Sequence, residues 1–412
     1  MIGAGMGGLT LALSLHQAGI GCRVFEAAPE LRPLGVGINL LPHACRELDA
    51  LGVLPALQRR AVTTRESVFF NRFGQLVYRE PCGLAAGYPW PQLSVHRGDL
   101  QQVLLEAVRA RLGAEAVVPG HRCASVEPDG DGALVRFAGA DGGEPPAPVR
   151  GHIVVACDGV HSAVRRQLYP GEGPPRYSGV NMWRGVTRAR PFLTGASMVR
   201  AGWLSVGKMV IYPIRDDLDG QGTQLVNWVA ELEMPQPAQR DWNRLGRLED
   251  FYPRFEQWRF DWLDVAALIR GAEQVLEYPM VDQDPLPTWT SGRATLLGDA
   301  AHPMTPRGSN GTAQAILDAR FLAGCLKRLG LTDSALAEYD RVRGQATAEV
   351  VRMNRRNPPD AILREVHERS GDRPFARIED VISPQEMADI AARYRQVSGS
   401  DPGALARRDA LS

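Results

Sequence analysis

The sequence predicts an α/β fold: a Rossmann-like dinucleotide-binding unit, a β-rich antiparallel middle and a helical C-terminus. Three observations carry it. A glycine-rich turn, "GAGMGG", opens a helix and is followed by a strand ending in an acid. Near residue 300 a buried strand, "ATLLGD", runs through a Pro/Gly loop into a long helix. Between them the pattern turns β-rich and partly alternating, as in a sheet with one covered face.

In "GAGMGG" the glycines Gly3, Gly5 and Gly8 fit G-x-G-x-x-G. The first allows the tight turn, the second lets a pyrophosphate approach the backbone, and the third lets helix and sheet pack closely. "LTLALSLHQAG" reads as the helix, stopped at Gly19, and "CRVFE" as the next strand. It ends in Glu26, about 20 residues on, where a ribose hydroxyl pair is gripped. A chance glycine turn is the competing reading. Only Met1 and Ile2 precede the turn, too few for a central parallel strand. The expectation is therefore that the innermost strand is missing and that roughly five to eight apolar residues added upstream raise cofactor occupancy.

The stretch "LRPLGVGINLLPHACREL" is a second glycine-rich loop, Gly35 and Gly37, leading into a helix. Such a loop lets backbone approach a flat ligand; an ordinary connector is the alternative. "LSVHRGDLQQVLLEAVRARLG" reads as a short strand and a helix from about Asp99 to Leu112, with Arg97 just before it. Residues 124–150 read as a polar hairpin. "GHIVVACDGVHSAVRRQL" is a buried strand ending at Asp158 and Gly159, then a helix start with Ser162 and Arg165. "MWRGVTRA", "WLSVGKMVIYPIR" and "TQLVNWVAELEM" supply the middle sheet, and helical patterns are expected at 242–258 and 261–271.

Residues 292–329 are the most informative. The strand "ATLLGD" places Asp299 in the crevice where α/β sheets bind ligands. The loop "HPMTPRGSNG" opens a helix from about Thr312 to Arg328, and the free amides near Asn310, Gly311 and Thr312 form an anion site. From about Glu349 the chain is charged and helical, and reads as packing or partner surface.

Composition removes several function classes. With 412 residues, 44% of them hydrophobic, the chain can bury a large core and is expected to form more than one domain. Lys plus Arg equals Asp plus Glu at 47 each, which gives no nucleic-acid or membrane signal. Only Lys208 and Lys327 are lysines, so arginine abundance is a habit of the chain and each arginine needs its own context. Six cysteines without C-x-x-C spacing fit neither a zinc site nor a disulfide framework, and a reduced cytoplasm is expected. The apolar start lacks a basic flank and is broken by glycines, unlike a secretory or spanning segment.

Taken in order, "GAGMGG…E", "DGVHSAVR" and "GDAAHPMTPRGSNG" resemble the single-component FAD-dependent aromatic hydroxylases, the family of p-hydroxybenzoate and salicylate hydroxylases. The resemblance runs from Ile2 to about Ala348. The stretches "RPLGVGIN", "MWRGVT", "LVNWV", "YPMVDQDPLP" and "NGTAQAILD" look closest to phenazine-modifying monooxygenases of pyocyanin synthesis. The implied organisation is an FAD-binding domain from 1–65, 92–172 and 275–345, a substrate domain from 66–91 and 173–274, and a helical region from 346–412.

The same resemblance implies the site. Gly3, Gly5, Gly8 and Glu26 would hold the ADP half of FAD; Arg97 and Arg32 would touch its ribityl, diphosphate or adenosine portions. Gly37 would lie against the cofactor. Asp158, Gly159 and Arg165 match a motif serving both FAD and a passing nicotinamide nucleotide, NADH or NADPH. Asp299 matches the acid accepting from the ribityl chain. Pro306 matches the proline beside the flavin ring, with Gly308, Asn310, Gly311 and Thr312 supplying loop and helix-end amides. Strand-end turn and helix cap are the bland readings of Asp158 and Asp299.

The implied reaction is hydroxylation of a phenolic or phenazine-like aromatic with NAD(P)H and dioxygen through a flavin C4a-hydroperoxide, in secondary metabolism or aromatic degradation. Water must be kept out, a task for the apolar middle strands. Tyr212 is a candidate to orient the substrate, against a packing role. Arg307 stands where the family has a small or uncharged residue; it is expected to face solvent rather than a substrate carboxylate. His302 is expected to be structural, and no metal cluster is visible. A non-catalytic FAD-binding chaperone or sensor and a flavin reductase of the same superfamily remain as alternatives. Monomer and homodimer are both open.

Overall fold

The computed structural model describes residues 1–32, 35–139, 143–236, 244–356, 358 and 360–398. A small parallel sheet organises the first half. Val24–Phe25 pairs in parallel with Val117–Val118, and Val154–Ala156 with Ala294–Leu296. Between these pairs lie the chain's first residues, which form isolated bridges and no strand. Ile2 bridges Phe25 on one side and Ala156 on the other, both in parallel. Ile2 N donates to Val155 O at 2.9 Å, Cys157 N to Ile2 O at 2.7 Å and Gly3 N to Phe25 O at 2.7 Å. The neighbouring strands are themselves two or three residues long, so one bridging residue reaches across both ladders.

Three helices cover this sheet: Met6–Gln17, Arg97–Leu112 and Gly311–Leu329. The second begins two residues before the expected Asp99, with the His96 ring accepting Gly98 N–H at 3.2 Å as its cap. Close packing depends on missing side chains. A Cβ on Gly8 would stand 2.1 Å from Gly3 O, and one on Gly7 would stand 2.7 Å from the Leu297 side chain. The glycines thus set the approach of the first helix to the turn and to the strand end.

The middle of the chain forms one eight-stranded sheet. Its long strands Arg176–Ala189, Ser197–Trp203, Gly207–Arg215, Gln224–Glu233 and Val275–Asp282 pair antiparallel. Glu66–Phe70 joins in parallel to Ser197–Trp203, the one departure from the antiparallel expectation, and Leu76–Pro81 forms the edge. One face buries Trp183, Trp228, Phe251, Phe255 and Trp258. The helix expected over 242–258 is replaced, within its described part, by 3-10 turns at Leu248–Asp250 and Tyr252–Arg254. Apolar residues 251, 255 and 258 have helical spacing, but Pro253 removes a backbone donor from the turn. The rings dock on the sheet instead: Phe251 stacks on Trp183 with centroids 4.9 Å apart. The pattern expected over 261–271 shortens to a helix at Val265–Arg270, capped by Asp264.

Residues 122–138 form the expected hairpin, which a third strand, Val149–Gly151, extends. The tail of the chain folds as helices Asp333–Arg356, Ala361–Ser370 and Pro384–Ser398. A buried charge cluster ties it to the large sheet. Lys208 Nζ donates to Glu231, its cross-strand neighbour, at 2.9 Å and pairs with Asp360 at the start of Ala361–Ser370. Burial would raise the Asp360 pKa, but Lys208, Arg307 and Arg200 outweigh it and hold it at about 2. Among the described residues no helix is long and apolar enough to cross a membrane.

Candidate functional site

The sheet's carboxyl edge opens onto the first glycine turn. Gly3 has φ +98°, and a Cβ there would meet Cys157 O at 2.4 Å, so only glycine fits. Above Gly5, by contrast, a Cβ would meet nothing within 4 Å. That is open room over the amides of the Met6–Gln17 helix, whose cap position, Gly5, offers no side-chain acceptor. Glu26 closes the end of its strand and is already engaged: Oε2 accepts Ala4 N–H at 2.7 Å and Oε1 accepts Ala28 N–H at 2.8 Å. Arg32 is exposed and paired with Glu30 at 2.8 Å. Arg97, the first helical residue after the Gln92–His96 strand, is exposed with its stem packed over Gly35.

On the other side of the turn, Asp158 Oδ2 accepts Ala163 N–H at 2.8 Å, while Oδ1 is buried with no hydrogen-bond partner. Desolvation raises the Asp158 pKa, against the helix-start groups that favour the charge. Gly159, with φ +75°, has open space at its Cβ position. Asp158→Asn is expected to melt higher than the wild type at neutral pH. An acid with a raised folded pKa contributes stability below its unfolded pKa and loses it as pH rises through the folded one. The two proteins should therefore converge in acid and separate as pH rises, which thermal melts across a pH series measure.

Arg165 is buried beneath this edge. It donates to Ala300 O at 3.0 Å and Ala301 O at 2.7 Å, and pairs with Glu172. It thus grips the loop that carries Asp299. The same loop is held from below by Asp318, which accepts from His302 Nε2 at 2.5 Å, Arg343 Nε at 2.7 Å and Gly298 N at 3.3 Å. His302 is buried in this network, against Trp289. Asp299 itself is exposed, and a Cβ on Gly311 would lie 3.9 Å from its Oδ1. The carboxylate stands beside the first turn of the Gly311–Leu329 helix, whose cap residue Asn310 makes no side-chain cap bond.

Pro306 is exposed and starts the turn Arg307–Ser309, in which Gly308 and Ser309 take φ +76° and +59°. Thr312 lies one residue into the helix. Arg307 corrects the expectation of a solvent-facing side chain. It is half-buried, and its charge acts on Asp360 in the cluster behind the loop.

A cleft enclosing about 750 Å³, mouth included, reaches the Gly308–Ser309 turn. Phe69, Met198, Leu41, Pro42 and Tyr88 supply apolar and aromatic walls, and Ser67, Gln92 and Arg200 polar groups. Arg200 donates to Ser67 Oγ at 2.6 Å and lies 5.2 Å from the Phe69 ring centroid. The far wall comes from the last helix, through Ala391 and through Arg395 paired with Glu80 at 2.5 Å. The tail therefore contributes to a cleft, where its sequence read as packing or partner surface. Arg200 escaped notice because one arginine among 47 basic and 47 acidic residues carries no pattern; strand parity in "SMVRAGW" was the available signal.

Tyr212 is buried and donates to Gly37 O at 2.9 Å; burial raises its pKa. Gly37 has both its polar atoms engaged, since its N–H donates to Asn227 Oδ1 at 2.7 Å and Arg184 Nη2 also reaches its carbonyl at 2.6 Å. A close approach of its backbone, not a bond from it, is what Gly37 has left to offer a ligand.

An elongated group with an anionic diphosphate and a flat ring fits what is present. Room stands over Gly5 and Gly159, two helix starts lack side-chain caps, Asp158 keeps an orphaned buried oxygen, and an apolar cleft ends at the glycine turn of residue 308.

The chain is similar to known proteins in sequence and in fold. The FAD binding domain family model matches residues 1–191. Phenazine 1,6-dicarboxylic acid hydroxylase PhzS of Lysobacter antibioticus is 41% identical over 96% of this chain and 95% of its own. The 3-amino-4-hydroxybenzoate 2-monooxygenase PtmB3 of Streptomyces platensis is 36% identical over 86% of each chain. The crystal structure of Klebsiella pneumoniae HpxO with FAD and uric acid superposes with a TM-score of 0.75 at 23% identity, covering 98% of this chain and 96% of that one.

Proposed function

Because the chain belongs to the single-component FAD-dependent aromatic hydroxylases, we propose that its cleft takes a flat aromatic carboxylic acid of the phenazine-carboxylate class and hydroxylates it. The half-buried Arg200, in an otherwise largely apolar cleft that reaches the Gly308–Ser309 turn, is the observation that carries this reading. A guanidinium already oriented by Ser67 and Phe69 binds a carboxylate with little further ordering. Its ring-bearing end then lies toward the glycine turn.

The remaining roles follow from the positions above. Gly5 leaves room for the diphosphate, Gly3 and Gly8 allow the turn and the close helix approach that present it, Glu26 and Arg97 flank it, and Asp158 with Gly159 borders its far side. Arg165 serves indirectly, by fixing the loop of Asp299. Pro306, Gly308, Asn310, Gly311 and Thr312 form the ring end of the site, where a helix start carries roughly half a positive charge and favours an anionic ring. FAD, reduced by NADH or NADPH, supplies the oxygen-activating chemistry. The chain's part is to hold the substrate still and keep water out with Phe69, Met198, Leu41 and Pro42. Tyr212 supports the site through Gly37. The chain works in the cytoplasm, as a monomer or homodimer.

The test is turnover by the holoenzyme with NADH or NADPH, offered phenazine-1-carboxylate, phenazine-1,6-dicarboxylate and unsubstituted phenazine. The acids should accelerate nicotinamide oxidation and yield products with one added oxygen. Equal acceleration by phenazine, or none by either acid, overturns the substrate class.

A further inference from the structure

We infer that Asn227 and Arg184, with Tyr212, are positioning residues that clamp the backbone of Gly37 on both sides and so set the surface the Gly35–Gly37 loop presents to the flavin. Three strands of the large sheet converge on this one residue, fixing the two peptide units that flank its Cα. Asn227 from Gln224–Glu233 accepts Gly37 N–H at 2.7 Å; Arg184 from Arg176–Ala189 and Tyr212 from Gly207–Arg215 both donate to Gly37 O.

The adjoining carbonyls are held as well. His96 Nε2 lies 3.0 Å from Gly35 O, and Arg97 N donates to Val36 O at 3.0 Å. Behind them Ser94 Oγ donates to Asn39 Oδ1 at 2.8 Å and shares a hydrogen bond with Thr64. Every carbonyl from 35 to 37 therefore has a named partner, and the fit is tight: a Cβ on Gly37 would stand 2.7 Å from both Asn227 Cβ and Ile214 Cγ2.

Such a clamp is costly to keep. Asn39 Nδ2, Asn227 Nδ2 and Arg184 Nε are buried with no hydrogen-bond partner among the described residues. A joint selected for stability alone would replace such groups with apolar ones, because each buried unsatisfied donor destabilises the fold. Unsatisfied groups gathered from three strands around one loop mark a place where position is held at the expense of stability. The clamp also adjoins the substrate cleft, since Met198, which lines it, packs in one cluster with Tyr212 and Ile214.

The inference rests on the family's cofactor and not on the aromatic-acid reading, so FAD affinity is measured with no substrate present. Apoprotein of the wild type, Asn227→Ala, Asn227→Asp and Tyr212→Phe would be titrated with FAD, and thermal melts and far-UV spectra recorded alongside. Asn227→Ala should weaken FAD binding roughly tenfold, the ratio one lost hydrogen bond produces. Asn227→Asp, which keeps an acceptor for Gly37 N–H, should restore most of it. Tyr212→Phe, which leaves Arg184 on the carbonyl, should fall between. Should folded Asn227→Ala and Tyr212→Phe bind FAD as the wild type does, or Asn227→Asp fare no better than Asn227→Ala, the clamp is only structural.

Discussion

Replacing Arg200 by Gln is expected to lower kcat/KM for a phenazine carboxylate about ten- to a hundredfold, chiefly through KM, because a hydrogen bond to a charged partner contributes about 1.5–3 kcal/mol. The uncharged analogue should be affected far less. Arg200 is held by Ser67 and by the Phe69 ring, so its fork is presented in one orientation. Arg200→Lys keeps the charge but loses the planar fork and its stacking, and should recover only part of the loss. Steady-state kinetics with the acid and the neutral ring decide the matter. A uniform loss on both would show that Arg200 supports the cleft wall and does not select its ligand.

Asp318→Ala should give the largest loss of stability, roughly 3–5 kcal/mol, since it leaves the Arg343 guanidinium buried without its counter-ion. Asp318 is fully buried, and Arg343 and His302 are almost so. Burial works against the Asp318 charge, but His302 and Arg343 outweigh it and lower its pKa. The sign for pH follows. A carboxylate with a depressed folded pKa contributes stability above its unfolded value and loses it as pH falls through the folded one. The gap between wild type and variant should thus be widest at neutral pH and close below about pH 4. Denaturant unfolding across pH 3–7 measures it. Arg343→Met added to Asp318→Ala should restore stability, because no uncompensated charge remains; a double variant no better than the single would point to lost packing. FAD affinity should fall with the single variant, as Gly298 N–H and His302 both lose the group that holds their loop.

These two residues differ in how far they could be read in advance. Asp318 sits seven residues into a helix that was legible as such, yet its partners come from a loop 16 residues before it and a helix 25 residues after it. Nothing in local periodicity announces a charge that is neutralised at such separations. Asn227 and Arg184 lie on strands that were legible in advance and Arg200 on one, Ser197–Trp203, that was not; in all three cases which side chains meet depends on register between strands. The 251–258 segment shows the opposite failure: its spacing imitates a helix, and the flat aromatic face of the sheet gives those rings a better place to be buried.

What the sequence by itself determined is the part carried by short-range backbone demands. Glycines at 3, 5 and 8, the strand ends at Glu26, Asp158 and Asp299, and helix starts read to within three residues, at about 9, 99 and 312, are local facts of chain geometry, and they were enough to identify a dinucleotide crevice and its flavin family. Only the tertiary structure decided that Ile2 bridges Phe25 and Ala156, that the charge of Arg307 bears on Asp360, that the last helix walls the substrate cleft, and that three strands close on Gly37. Each of these is a meeting of groups more than twenty residues apart. Such meetings are settled by burial and charge compensation summed over the whole chain, which no local window contains.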